Sequence, residues 1–458
     1  MAMNINYYIE TTYQNDPFWF TQEVEKSHHT IRVSRDIGHK QYLHGNHKVN
    51  LRKDLKYKDQ EFIVKKMKFD LAKTILNFHT NYLLGKPITL TGSESLVKEI
   101  QQVYKYGGFN DIDAGLLKKN VIYGEGYEYI YRDDNGNITS KIIDTMFCYP
   151  VFADDGTYVA FIEHWKTNEN IYYWNVYYPD RIEEWTNEGA NPSIEKDKKT
   201  KKDKINYDVQ LLAKYDNESS LPIPYYEASE WDYREGEGLL EIIIPVIDEL
   251  EDLYSKMGDA IYTLSLNPLL TTIGQSIEGG ISNDAVGYNV SLDNGSDLKY
   301  VTAMMDYNTI KLLIDNINNN LNLVAHIPSI LGGSGNIANV SEVSLKMLYQ
   351  LADVYAGITE RIMRRGFNQR LNIIRKMIGR EDKEEYVDVE FNYARPSNAT
   401  EILDNIKKQV EMGAMSIESA VEKSPLTTDK TMELERLAKD KKGKTDTTVT
   451  DANSVVTV

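Results

Sequence analysis

Cysteine is nearly absent. Cys148 is the one thiol in 458 residues, which excludes an internal disulfide and any multi-cysteine zinc site. A buried, inert thiol is expected there. Long apolar runs are missing too: none approaches the roughly 20 residues of a membrane-spanning helix, so no membrane anchor is expected. Residues 1–10 lack a basic stretch followed by an apolar one; no secretory signal is read there, and the expectation is a chain made in a cytoplasm. Nor is there a GxxxxGKS/T loop, so no phosphate-driven motor is encoded and any such work must come from a partner. Positive charge is in deficit, with 52 Lys and Arg against 69 Asp and Glu and a net charge of -17. That excludes a protein that grips nucleic acid with its whole surface, because such proteins cluster Lys and Arg on phosphates. It does not exclude a surface past which DNA slides.

What is present is length and tyrosine. A chain of 458 residues exceeds the size at which one hydrophobic core stops growing, so two or more packed units are expected. Tyrosine outnumbers phenylalanine, 32 to 11, which suits strands and half-wet contacts between subunits. Apolar spacing predicts a helix over 58–84 closed by Gly85 and Pro87, then helices near 93–106 and 111–123. From Tyr127 to Trp185 the texture is that of an antiparallel meander, with hairpin turns at Asp134-Asn135-Gly136 and Asp154-Asp155-Gly156. The Lys, Asp and Glu run at 195–204 reads as a solvated loop or arm.

Beyond it, Val246, Ile247, Leu250, Leu253, Tyr254, Met257 and Ile261 form one stripe of a long helix with Pro245 in its first turn. A small insertion at 267–305 carries a hairpin, strands 288–292 and 298–302 about Asp293-Asn294-Gly295-Ser296. A second rod follows at 307–325, apolar on one face and asparagine-rich on the other. Asparagine is a mediocre helix former, so that face is expected to gain from hydrogen bonds to a neighbour or to water. Residues 326–340 form an uncharged glycine-rich loop. Ser341 would cap a third long helix through Ile378. A strand at 386–393, small helices at 400–439 and a disordered tail after Lys441 complete an α+β reading.

Candidate chemistry is sparse. Asp133 to Asn137 resembles a calcium loop, yet Tyr131 and Ile142 would fall on ligand positions, and a turn is preferred. Gly332-Gly333-Ser334-Gly335 is not GxSxG and follows no strand, so no hydrolase elbow is read. His39, His44 and His47 lack the spacing of a metal site and are taken as polar surface residues. Adjacent pairs, Asp248 with Glu249 and Glu251 with Asp252, do not face each other on a helix; they read as a solvated acidic face rather than glycosidase carboxylates. Arg361, Arg364, Arg365 and Arg370 would serve as salt bridges to a neighbouring acidic chain or as contacts to DNA phosphates.

The order helix, insertion, helix, glycine loop, long helix resembles the portal proteins of tailed bacteriophages, of the kind found in siphophages of Gram-positive hosts. The stretches that carry it are Asn81-Tyr82-Leu83-Leu84-Gly85-Lys86-Pro87, Ile247-Asp248-Glu249-Leu250 and His326-Ile327-Pro328. The resemblance implies an α+β portal fold with these parts: wing at 1–241 and again, with a long helix, at 341–393; stem helices at 242–265 and 306–325; a small α/β clip at 266–305; a tunnel loop at 326–340; and a crown at 394–440. It implies a twelve-subunit ring at the capsid vertex through which double-stranded DNA is packaged, retained and ejected. The partners it implies are the terminase large subunit, head-completion or adaptor proteins, and the major capsid and scaffolding proteins. Ile330, Leu331, Gly332, Gly333, Ser334, Gly335 and Asn336 would face DNA. Ile277, Ser282, Tyr288 and Asn294 of the clip would dock partners, and Arg361, Arg364 and Arg365 would touch phosphates or a neighbouring subunit. No enzyme activity, cofactor, metal or membrane is implied. Twelve such chains would carry about -200 charges, a field that repels duplex DNA. Two other readings are a secreted carbohydrate-active enzyme and a different phage ring or connector component.

Overall fold

The computed structural model describes residues 4–57, 60–189, 193–196, 203–206, 209–230, 232–261, 269–274, 293–301, 307–328, 342–382, 384–396, 398–427, 433–434 and 436–439. The chain divides into two units, Met1–Ile327 with Val354–Ala394, and Pro328–Asp353 with Arg395–Val458.

The first unit opens with helices α1 (Ile5–Tyr13), α2 (Trp19–Glu23) and α3 (Ser27–Leu43). Asn4 caps α1 by accepting the Tyr7 N–H at 2.9 Å. A helix as short as α2 is unstable alone; it is held because Trp19 and Phe20 are buried with Trp174, Val176 and Tyr178. A 3-10 turn at Lys48–Leu51 leads to a hairpin of β1 (Leu55–Tyr57) and β2 (Gln60–Phe62), and only then to α4 (Leu71–Leu84). The helix expected from residue 58 therefore begins at Leu71, because residues 65–69 are extended and bonded to another helix.

Next come β3 (Thr89–Gly92), α5 (Glu94–Gly107) and α6 (Phe109–Tyr123). Gly124 ends α6 at φ 79°, the left-handed conformation that glycine adopts without strain. The meander follows: β4 (Glu125–Arg132), β5 (Ile138–Ile143), β6 (Cys148–Phe152), β7 (Tyr158–Lys166), β8 (Tyr172–Tyr177), β9 (Arg181–Thr186), β10 (Ser193–Lys196), β11 (Asp203–Asn206), β12 (Gln210–Asp216) and β13 (Ile223–Tyr226). They form a five-stranded sheet ordered β12-β9-β8-β7-β6 and a three-stranded sheet ordered β13-β4-β5. Both expected turns are present: Gly136 N–H donates to Asp133 O, and Gly156 N–H to Ala153 O, each at 2.9 Å. The charged run is in part a hairpin, since β10 and β11 pair with Glu195 opposite Lys204. Cys148 is fully buried among Tyr127, Ile143, Phe161 and Tyr177, and burial pushes its thiol pKa well up.

The remaining elements are α7 (Leu239–Ala260), β14 (Leu269–Ile273), β15 (Asp297–Val301), α8 (Tyr307–Val324), α9 (Glu342–Leu348), α10 (Gln350–Met377), β16 (Val387–Glu390), α11 (Ala399–Glu411) and α12 (Ile417–Lys423). The first long helix starts at Leu239, capped by Gly238, so Pro245 stands inside it rather than in its first turn. The apolar run from Leu239 to Ile244 carries the helix backwards past the proline, whose missing N–H leaves the Glu241 carbonyl without its usual donor. The third long helix is divided at Tyr349; its expected cap, Ser341, and the tail after Lys441 lie outside the described residues. β16 pairs antiparallel with β3. In the second unit, Asn398 and Ser416 cap α11 and α12 through the N–H groups of Glu401 and Ser419. Its Arg395 pairs with Asp353 at 3.1 Å.

Candidate functional site

The first long helix, α7, is fixed by a strap. Leu240, Ile243, Ile247 and Leu250 are buried, and the same face continues through Glu251 and Ser255. The N–H groups of Phe69, Met67 and Lys65 donate to Glu251 Oε1 (2.7 Å), Ser255 Oγ (2.8 Å) and Asp259 Oδ1 (2.6 Å). Every second residue of an extended chain thus meets every fourth residue of a helix. Their rises agree, about 6.6 Å against about 6.0 Å. His47 Nδ1 lies 2.8 Å from Glu251 Oε1 and its ring stacks on Tyr42 at 4.0 Å.

These contacts correct two expectations. Glu251 is not part of a solvated acidic face: it is fully buried, and its carboxylate serves His47 and the strap. His47 and His39 are buried as well, and only His44 of that trio is exposed. Asp252 pairs with Lys256 at 2.6 Å. Of the two acidic pairs, Glu251 is thus held by His47 and the strap, and Asp252 by Lys256.

The elements α7 and α8 pack against each other, with β14 and β15 between them in sequence as an antiparallel pair. The turn before β15 is the one expected: Ser296 N–H donates to Asp293 O at 3.0 Å, Gly295 has φ 92°, and Asn294 is exposed in it. The described partner of β15 is Leu269–Ile273; the expected strand 288–292 lies outside the described residues, as do Ile277, Ser282 and Tyr288. On α8 only Leu321 is buried. Tyr307, Leu312, Leu313 and Leu323 are exposed, at 71%, 62%, 47% and 57%.

The chain leaves α8 through a built corner. His79, on α4 just before the Asn81 to Pro87 stretch, donates from Nε2 to Ala325 O at 2.6 Å. Because a carbonyl only accepts, this bond assigns the proton to Nε2. Burial holds the His79 pKa down to about 4. His326 takes a left-handed φ of 52° and stacks on Tyr355 at 5.3 Å. Ile330, Leu331, Gly332, Gly333, Ser334, Gly335 and Asn336 lie outside the described residues.

The arginines of α10 divide by environment. Arg361 pairs with Glu227 at 2.9 Å. Arg364 pairs with Glu360 at 2.7 Å and Asp388 at 3.2 Å, and donates to Val389 O. Arg370 is fully buried, bonded to Asp113 and to Glu128 at 3.0 Å. Arg365 is exposed and lines an open cleft of about 580 Å³ with Tyr158, Pro222, Tyr226 and Gln369. The sequence reading missed how Glu128 joins the strands to α10: it also accepts from Ser140 Oγ (2.6 Å) and Tyr225 OH (2.5 Å). Next to it, Gly366 lies so close to Tyr225 that an added Cβ would meet the ring at 2.1 Å.

Buried charges join elements here, while apolar side chains on α8 are left uncovered. The chain belongs to the phage portal protein family, SPP1 Gp6-like, whose family model matches residues 22–446. It is a portal, or head-to-tail connector, subunit. Similar solved structures include the neck of an empty GTA particle computed with C6 symmetry, at 10% identity, covering 76% of this chain and 90% of that chain with a TM-score of 0.48. The virion of a native gene transfer agent (GTA) particle matches at 11% identity, covering 76% and 88%, with a TM-score of 0.45. The neck of a native GTA particle computed with C12 symmetry matches at 10% identity, covering 78% and 89%, with a TM-score of 0.46. No curated protein matches the chain. No helix among the described residues is long and apolar enough to cross a membrane.

Proposed function

We propose that this portal subunit assembles into a ring, twelvefold in the virion, that conducts double-stranded DNA during packaging, retains it and releases it on ejection. The observation that carries the reading is α8: a helix paired with α7 whose Tyr307, Leu312, Leu313 and Leu323 are exposed in the single chain. Covering a leucine contributes roughly 1.5–3 kcal/mol, and copies of the same chain would supply the cover. In this reading 242–265 and 306–325 are the stem, 266–305 is the clip, 326–340 is the tunnel loop and 394–440 is the crown. Residues 1–241 and 341–393 form the wing. Asn294 sits on the clip turn, where the terminase large subunit and then the head-completion proteins would dock. The capsid and scaffolding proteins would hold the ring at its vertex.

The role needs no catalysis from this chain. The 326–340 loop has no Lys, Arg, Asp or Glu, so it neither traps phosphates nor repels them, and its glycines let it follow a passing duplex. Of the α10 arginines, Arg365 is the one suited to a phosphate or a neighbouring subunit, since the others have intramolecular partners. The test is the double variant L312E/L313E in the full chain. It should remain folded by circular dichroism and lose rings in negative-stain images; intact rings would overturn the stem assignment. Deleting residues 331–339 should leave rings but reduce packaged or retained DNA. Normal DNA content in those particles would remove the loop from the mechanism.

A further inference from the structure

Where α2 meets α3, the structure gathers a donor set that the portal role does not use. Glu23 closes α2, and His28 and His29 lie in the first turn of α3. One ligand atom from each of the three lies within 4.8 Å of the others, and no second such group of three occurs among the described residues. Glu23 and His29 are buried, at 2% and 1% exposure. His29 Nε2 has no hydrogen-bond partner and stands 3.5 Å from Glu23 Oε1. Buried ring nitrogens are ordinarily satisfied, and 3.5 Å is long for a charge-assisted bond. It is instead close to the edge of a tetrahedral site, about 3.3–3.4 Å for bonds of 2.0–2.1 Å.

The surroundings aim the carboxylate. Glu23 Oε2 accepts from Tyr8 OH at 2.8 Å and Tyr13 OH at 2.5 Å, leaving Oε1 toward the histidine. His29 packs edge-on against Tyr149 of β6. Such outer contacts fix ligand orientation.

Three cations stand near: Arg32, which acts on His29 and is itself matched by Glu125; Arg234; and Lys26. Arg234 is 3.4 Å from His28 Nδ1, but its charge is matched by Asp232 at 2.6 Å. Lys26 Nζ sits 2.9 Å from Glu23 Oε2 with 34% of its side chain exposed, so it can swing into solvent. Lys26, which also donates to Tyr8 OH at 2.7 Å, pairs with the oxygen turned away from His29 and so draws charge from the carboxylate that a metal would share.

We propose that Glu23, His28 and His29 bind one divalent transition-metal ion, zinc by preference, with water completing the shell, and that the ion fastens the end of α2 to the first turn of α3. Two imidazoles and one carboxylate form a zinc-type set. The ion is a fastener, independent of DNA conduction.

The experiment uses the full chain, stripped with chelator and titrated with Co2+ in the visible and with Zn2+ by calorimetry. Expected are one equivalent per chain, d–d absorption of a four-coordinate site, displacement of Co2+ by Zn2+, and a raised melting midpoint. His28→Ala and Glu23→Gln should each weaken binding at least ~10-fold, while His44→Ala, at an exposed histidine, leaves it unchanged. Absence of saturable binding in the wild type, or wild-type affinity in His28→Ala, overturns the proposal. Lys26→Met removes the competing cation without opening a cavity and should tighten binding about 10-fold. Unchanged affinity there would place the ion elsewhere and overturn it as well.

Discussion

Replacing Arg370 by methionine tests how the long helix is held. The guanidinium is fully buried, with Asp113 and Glu128 as partners, Tyr104 OH accepting at 3.2 Å, and the rings of Phe367 and Phe109 at 4.5 and 5.0 Å. Methionine keeps much of the volume but strands two carboxylates away from water. Breaking a buried pair from one side costs about 3–5 kcal/mol. The loss also has a pH signature. Burial already raises Asp113 to about 6 while Arg370 opposes the shift, so removing the arginine pushes the folded-state value higher. A carboxyl raised in the folded state and ordinary in the unfolded one loses stability as pH climbs from about 4 toward the folded value. The variant should therefore suffer more at pH 8 than at pH 5. Thermal and guanidinium unfolding at both pH values is the assay, with a midpoint drop of roughly 3–5 °C at pH 8. A loss under ~1 kcal/mol, or one equal at both pH values, would refute the reasoning.

Gly366→Ala should destabilise by about 1–3 kcal/mol in equilibrium unfolding, since Tyr225, held by Glu128, cannot move aside. Glu251→Leu should cost about 2–4 kcal/mol by leaving His47 and the Phe69 N–H without their acceptor, with hydrogen exchange rising along residues 65–69. Acid should weaken the fold. Burial lowers His39, His79 and His164 to about 4 each, so their contribution is complete above pH ~6.5 and is lost as pH falls toward 4, up to about 3 kcal/mol each. His79→Gln, which can still donate to Ala325 O, should flatten part of that slope in unfolding midpoints measured from pH 7 to 4.

The parts of the fold legible in the sequence are those where apolar spacing and turn residues agree. The Asp133 and Asp154 turns and the second rod fall where read, and the cluster from Asn81 to Pro87 closes α4. The N-terminal helices were not legible for a specific reason. The buried positions of α3 include His29, Arg32, Asp36 and His39, which have helical spacing but are polar, so hydrophobic periodicity is silent. Arg32 donates inside to Glu125 at 2.5 Å and to Thr145 O at 2.9 Å, partners more than ninety residues distant. Glu251 misled in the same way, because a carboxylate on a buried face looks like a solvated one until His47 is seen beside it. The helix start at residue 58 was overread because an extended strap bonded to helix side chains leaves no periodic mark. Nothing in the sequence marks His28 and His29, because it is the bend between α2 and α3 that brings Glu23 to them.

The central claim is that this chain forms a ring around a DNA path, and electron microscopy of the purified full chain tests it most directly. Closed rings with a central channel wide enough for duplex DNA are the predicted result. Single copies that remain monomeric at high protein concentration, with Leu312 and Leu313 exposed to solvent labelling, would contradict it.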